Sequence, residues 1–196
     1  MTSLVREHLN GTAATIQKVL ADEAILSAVA AAAEATAASM LKGGKLLVAG
    51  NGGSAADAQH LVAEFVCRLV HDRAAMRAIA LTVDSSNLTA IGNDLGFDRL
   101  FSRQIEALGA TGDVFFGIST SGNSPNILAA IDEAKKRGMI TVGFTGKDGG
   151  RMVGLCDFTV IIPSSITAHI QECHLALEHV FCAMTERCYF EGLKQN

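Results

Sequence analysis

The apolar run Lys45-Leu46-Leu47-Val48-Ala49 stops abruptly at Gly50-Asn51-Gly52-Gly53-Ser54, and a helical pattern begins there. A strand that feeds a glycine-rich loop and then a helix admits few folds. The helix must pack back across the sheet to shelter both apolar surfaces. Its first turn also points free backbone N–H groups at whatever sits beyond the strand, which favours an anion. The same order recurs along the chain. Two helices at 3–20 and 22–42 end at Gly43-Gly44; strands at 45–49, 78–83, 113–118, 139–144 and 158–162 then alternate with helices at 54–70, 85–93, 98–108, 124–137 and 167–190. This alternation predicts an α/β fold, a parallel sheet with helices on both faces. Ligands in such sheets bind where the strands end.

No linker, charge block or tandem repeat divides the 196 residues, so one domain is expected. A net charge of −4 argues against a nucleic-acid partner. Charged residues make up 18% against 49% hydrophobic, too little polar surface for a monomer, which points to subunit interfaces. The alanine-rich run from Ala24 to Leu41 contains Glu34 and is too weakly apolar to span a bilayer, so it reads as a helix packed between helices. Arg6 and Glu7 precede any apolar run, and the five cysteines (67, 156, 173, 182, 188) form no C-x-x-C pair. No signal peptide, disulfide framework or zinc knuckle is therefore expected, and a reducing cytoplasm is.

Two loops carry candidate chemistry. The second, Ser119-Thr120-Ser121-Gly122-Asn123-Ser124-Pro125, places Ser124 at an N-cap and Pro125 at the first helical position. Capping needs one hydroxyl, and this loop supplies four where helix N–H groups already favour negative charge. With no P-loop lysine nearby, it suits a phosphomonoester better than a nucleoside triphosphate. The first loop also fits the dinucleotide pattern at Gly50, Gly52 and Ala55. Asp84, the acid that would bind a ribose, lies about thirty residues beyond it rather than the usual ~20, which weakens that reading.

The helix after the first loop carries His60 and Glu64 four residues apart, a pair able to hold a metal or move protons. At about 100° per residue, Val62, Phe65, Val66 and Leu69 form one stripe facing the sheet, with His60 and Glu64 opposite. In the last helix Ile170, Cys173, Leu177, Val180 and Met184 form the core stripe; Gln171, Glu172, His174, Glu178 and His179 lie off it. Gln171 and His179 are separated by about 12 Å along the axis. A shared site is therefore expected to draw on several helices, across a subunit boundary. His8, His71, His169 and His174 read as surface residues, and Asn93-Asp94 as either a turn or a contact to substrate hydroxyls.

The segments GNGGSAADAQHLVAEF (50–65), AIGNDLGFD (90–98), ISTSGNSPNIL (118–128), VGFTGKDGG (142–150) and IQECHLALEH (170–179) together resemble the sugar isomerase (SIS) domain family over nearly the whole chain. The resemblance implies a five-stranded parallel sheet in a flavodoxin-like three-layer sandwich. It implies one SIS domain over 1–196, with the helices of 1–42 as an oligomerisation element in a homotetramer whose active sites lie between subunits. One zinc per subunit would fall to His60, Glu64, Gln171 and His179, and acid–base catalysis to Glu64 and His179. Substrate contacts would fall to Asn51, Gly52, Gly53, Ser54, Glu64, Asn93, Asp94, Ser119, Thr120, Ser121, Ser124 and Gln171. The implied reaction converts D-sedoheptulose 7-phosphate to D-glycero-D-manno-heptose 7-phosphate through an enediol(ate), toward a nucleotide-activated heptose for bacterial surface polysaccharide. Thr167-Ala168-His169 lacks an Asp that some members carry before Ile-Gln. Similar non-catalytic proteins bind the bacterial replication initiator; this chain keeps Glu64, His179 and Ser121, which favours the enzyme.

Overall fold

The computed structural model describes residues 1–69 and 72–194, so the expectation for His71 lies outside the described residues. The chain opens with two helices, α1 (Thr2–Leu20) and α2 (Glu23–Leu41). Asp22 starts the second by accepting from the backbone N–H groups of Ala24 and Ile25 at 3.0 and 3.3 Å. Next come β1 (Leu46–Gly50), α3 (Gly53–Val66), β2 (Ala78–Ala80), α4 (Ser85–Asp94) and α5 (Ser102–Leu108). The chain closes with β3 (Val114–Ser119), α6 (Pro125–Lys136), β4 (Ile140–Gly146), β5 (Phe158–Ile162) and α7 (Thr167–Leu193).

All four strand pairings are parallel, in the order β2-β1-β3-β4-β5. Period-two alternation divides the core between the faces. Leu46, Val48, Val114, Phe116 and Ile118 join a cluster with residues of α2, α3 and α7. Leu47, Ala49 and Phe115 join a second cluster with residues of α5 and α6. The result is a three-layer α/β sandwich, as expected.

Three boundaries differ from expectation for visible reasons. β2 is shorter than 78–83 because the chain turns at Leu81 and Asp84 caps α4, its Oδ1 accepting from Asn87 N at 3.0 Å. That cap occupies the carboxylate that a ribose would need. The 98–108 helix is divided, with a 3₁₀ turn at Phe97–Arg99 ahead of α5. α3 ends at Val66 rather than 70, where the Arg73 guanidinium donates to the carbonyls of Glu64 and Phe65 at 2.6 and 2.7 Å. Those carbonyls are the acceptors a helix leaves unpaired at its end.

α2 is long and apolar enough by length and composition to cross a membrane. Here it packs on α7 and β5 with Ala32 and Ala33 fully buried. Its alanines let the backbones approach closely, and Thr185 Oγ1 reaches Ala33 O at 3.4 Å.

Candidate active site

β1 and β3 are neighbours in the sheet, yet the chain leaves β1 toward one edge and β3 toward the other. Their two loops diverge from this switch point and open a crevice at the strands' C-terminal ends, where parallel sheets bind ligands. Asn51 and Asn126 bridge it with reciprocal amide hydrogen bonds of 2.9 and 2.8 Å. Asn126, only 1% exposed, escapes sequence reasoning because it reads as an ordinary first-turn helix residue. A cleft of about 260 Å³ flanks the first loop, lined by Asn51, Gly52, Thr82, Leu88 and Phe97 among others. Ser54 is buried in the first turn of α3.

The second loop uses its hydroxyls differently from the expected cap. Ser124 occupies the N-cap of α6 but makes no side-chain cap bond; its Oγ pairs with Ser119 Oγ at 2.9 Å. Ser121 Oγ accepts from Asn123 N at 3.2 Å, and Thr120 stands half-buried beside it. The first turn of α6 carries no acid and starts beside this cluster of hydroxyls, an arrangement suited to an anion.

α3 and α7 run side by side in the same direction. At their starts Gln171 lies against Gly53, so closely that a Cβ there would sit 2.3 Å from its Nε2. Further along, His60 Nε2 and His179 Nε2 stand 2.8 Å apart, with Glu64 Oε1 3.5 Å from His60 Nε2. One donor atom from each of these three residues falls within 4.8 Å of the others. Two imidazoles and a carboxylate converging on one point form a donor set suited to a borderline divalent ion. Two helices of a single chain achieve this, where the sequence suggested a subunit boundary. Gln171 contacts the first loop, and the exposed Asn93 and Asp94 bond each other at 2.7 Å.

The inward faces of both helices match the expected stripes only in part: Phe65 on α3 and Ile170, Cys173 and Leu177 on α7 are buried as expected. On α3 the buried residues are Ser54, Ala58, Leu61 and Phe65, while Val66 is 48% exposed. On α7 Val180 is exposed, whereas His169, His174 and Glu178, expected off the core, are buried. Burial pushes the His174 imidazole down to about 4, so it is neutral, and its Nε2–H donates to Thr145 O at 2.9 Å. Burial, reinforced by Asp57, pushes the Glu178 carboxyl up to about 8. Among the described residues neither of its oxygens has a hydrogen-bond partner, and Asp57 Oδ2 is likewise buried and without one. Arg73, absent from the sequence argument, ties the two helices: its Nε donates to Glu186 Oε2 at 2.8 Å while its Nη atoms hold the end of α3.

The family model described as SIS domain matches residues 7–146. The chain belongs to the SIS domain family. A protein of Burkholderia pseudomallei named phosphoheptose isomerase is 57% identical over 172 residues, covering 88% of this chain and 87% of that relative. One of the same name from Aneurinibacillus thermoaerophilus is 46% identical, covering 98% and 97%. Among solved structures, phosphoheptose isomerase GmhA of Neisseria gonorrhoeae is 40% identical with a TM-score of 0.89, covering 95% of this chain and 98% of that one. A phosphoheptose isomerase of Francisella tularensis is 35% identical with a TM-score of 0.90, covering 95% and 100%. These relatives favour the isomerase branch of the SIS family over the replication-initiator binders.

Proposed function

We propose that this chain isomerises D-sedoheptulose 7-phosphate to D-glycero-D-manno-heptose 7-phosphate. The observation that carries the reading is the convergence of His60, Glu64 and His179 on two helices whose starts meet at the loop after β1, in a chain similar to enzymes named phosphoheptose isomerase. The C–H beside a ketose carbonyl is very weakly acidic, so a base must meet it while the developing oxyanion is stabilised. In this reading Glu64 removes the C1 proton, leaving an enediol(ate) spanning C1 and C2. Return of a proton to C2 gives the aldose, and His179 exchanges protons with the substrate oxygens or delivers that one. The hydroxyl loop of Ser119, Thr120, Ser121 and Ser124 grips the phosphate with the α6 N–H groups, and that binding energy fixes the reacting end. Asn51, Gly52, Gly53, Ser54 and Gln171 contact the sugar.

His60, Glu64 and His179, with Gln171, would hold one zinc ion per subunit; two imidazoles and a carboxylate fit it. When bound, it supplies Lewis-acid stabilisation of the substrate oxygens. The protein is proposed to act as a cytoplasmic homotetramer, with α1 and α2 as the oligomerisation element. Leu4, Val5, Leu9 and Leu20 on α1 are each more than half exposed, an apolar face that a partner subunit would cover. Asn93 and Asp94 would contact substrate hydroxyls. The product would feed nucleotide-activated heptose for bacterial lipopolysaccharide. NMR of sedoheptulose 7-phosphate incubated with the protein in heavy water tests the activity: an aldose 7-phosphate should appear, and an unchanged ketose rejects it.

A further inference from the structure

A second cluster lies where α1 crosses the start of α7. His8 Nε2 stands 2.6 Å from Glu172 Oε1, and the His8 and His169 rings meet edge-on with centroids 5.1 Å apart. One donor atom each from His8, His169 and Glu172 lies within 4.8 Å of the others. The residues come as neighbours on their helices: His8 and Thr12 one turn apart on α1, His169 and Glu172 one turn apart on α7.

Two features distinguish this junction from a chance surface ion pair. Thr12 Oγ1 donates to Glu172 Oε2, the carboxylate oxygen turned away from His8, and so orients the group. Second, Gly11 interrupts α1, where glycine weakens a helix. A Cβ at that position would lie 2.3 Å from His169 Cε1. The helix thus gives up a side chain to admit this ring, which is 7% exposed and makes no hydrogen bond among the described residues. His169 also lines an open hollow of about 800 Å³ with Lys18, Lys147 and Ser164. That hollow gives an ion a route in and leaves room for water or an anion beside it.

We propose that His8, His169 and Glu172 form a second metal site, distinct from the His60, Glu64 and His179 cluster, in which a zinc-like divalent ion clips α1 to α7. Two imidazoles and a carboxylate with one side open to solvent match the donor set of such ions. Thr12 acts as the hydrogen-bonded support behind the carboxylate ligand.

The test is the metal content of untagged protein after equilibrium dialysis against Zn²⁺, read by mass spectrometry. Wild type should bind two equivalents per chain; His8→Ala and Glu172→Gln should each remove one, and His60→Ala should remove the other. Thr12→Val should weaken the first-named equivalent roughly 10–100-fold. Within one chain the His8 and Glu172 side chains are 43% and 37% exposed, so neither substitution removes packing from that chain's core. One equivalent lost with His8→Ala but kept with His60→Ala supports this site and counts against metal between α3 and α7. No bound metal, or one equivalent indifferent to both His8→Ala and Glu172→Gln, overturns it.

Discussion

His60 Nε2 faces His179 Nε2 across 2.8 Å, with the rings nearly perpendicular at 80°. Two lone pairs at that distance repel, so in the metal-free protein one Nε2 carries a proton and the other accepts it. A cation between them removes that requirement. The contact also fixes the register of α3 against α7, and with it the position of Glu64.

Glu64→Gln keeps the shape of the side chain and discards its basicity. Turnover of sedoheptulose 7-phosphate should fall roughly 10²–10⁴-fold, the usual worth of a general base, with phosphate affinity retained. A steady-state assay with a parallel inorganic phosphate titration checks this. Near-normal kcat would remove Glu64 from the chemistry.

Chelator treatment followed by dialysis should abolish activity, and Zn²⁺ should restore it. An enzyme equally fast before and after stripping would show that His60, Glu64 and His179 act without an ion.

Gly53→Ala tests the contact with Gln171. The new methyl meets the far end of a flexible side chain, so Gln171 swings aside and the helix is spared. Thermal stability should change little or rise slightly, since alanine is the better helix former. The specificity constant should drop about 10–100-fold through displacement of the amide. Equal losses of stability and activity would mean that the loop itself has been disrupted.

Arg73→Met should destabilise strongly. It strands the Glu186 carboxylate, whose partner guanidinium side chain is 6% exposed, and uncaps α3. Breaking a buried pair in this way costs about 3–5 kcal/mol, measurable as a fall in the urea midpoint. A loss under about 1 kcal/mol would show the pair to be dispensable.

Glu178 gives the metal-free protein a pH dependence with a definite sign. Its carboxyl stays protonated when folded until about pH 8 but ionises near its ordinary 4.5 when unfolded. Its contribution is therefore complete below about 4.5 and is lost as pH rises through about 8. Glu178→Gln removes this slope, so the variant should lose less stability than wild type over that window, by on the order of a few kcal/mol. Parallel stability–pH curves for the two proteins would refute the assignment.

The strand–loop–helix units were legible because period-two apolar runs and glycine-rich breaks are local signals. Phe158–Ile162 falls where the apolar run ends on both sides. The inward faces of α3 and α7 were legible only in part, through Phe65 on the one and Ile170, Cys173 and Leu177 on the other. Val62, Phe65, Val66 and Leu69 form an ideal stripe by hydrophobicity. Yet the close approach of α3 to its neighbours selects Ser54 and Ala58, small residues that no hydrophobic count favours. Buried Glu178 and His174 likewise read as surface residues, because their burial depends on what the neighbouring elements contribute. Asn126 and Arg73 act through partners 75 and 113 positions away, beyond any motif.

α7 runs for 27 residues, about 40 Å, as one unbroken rod. Gln171, Glu172, His174, His179 and Glu186 all hang from it, meeting the first loop, α1, β4, α3 and Arg73 in turn. A tilt at either end is transmitted to every one of these attachments together. Adaptation to a different sugar is therefore easier in the loops after β1 and β3, which can be lengthened or re-lettered separately, than along a beam whose fittings share one axis.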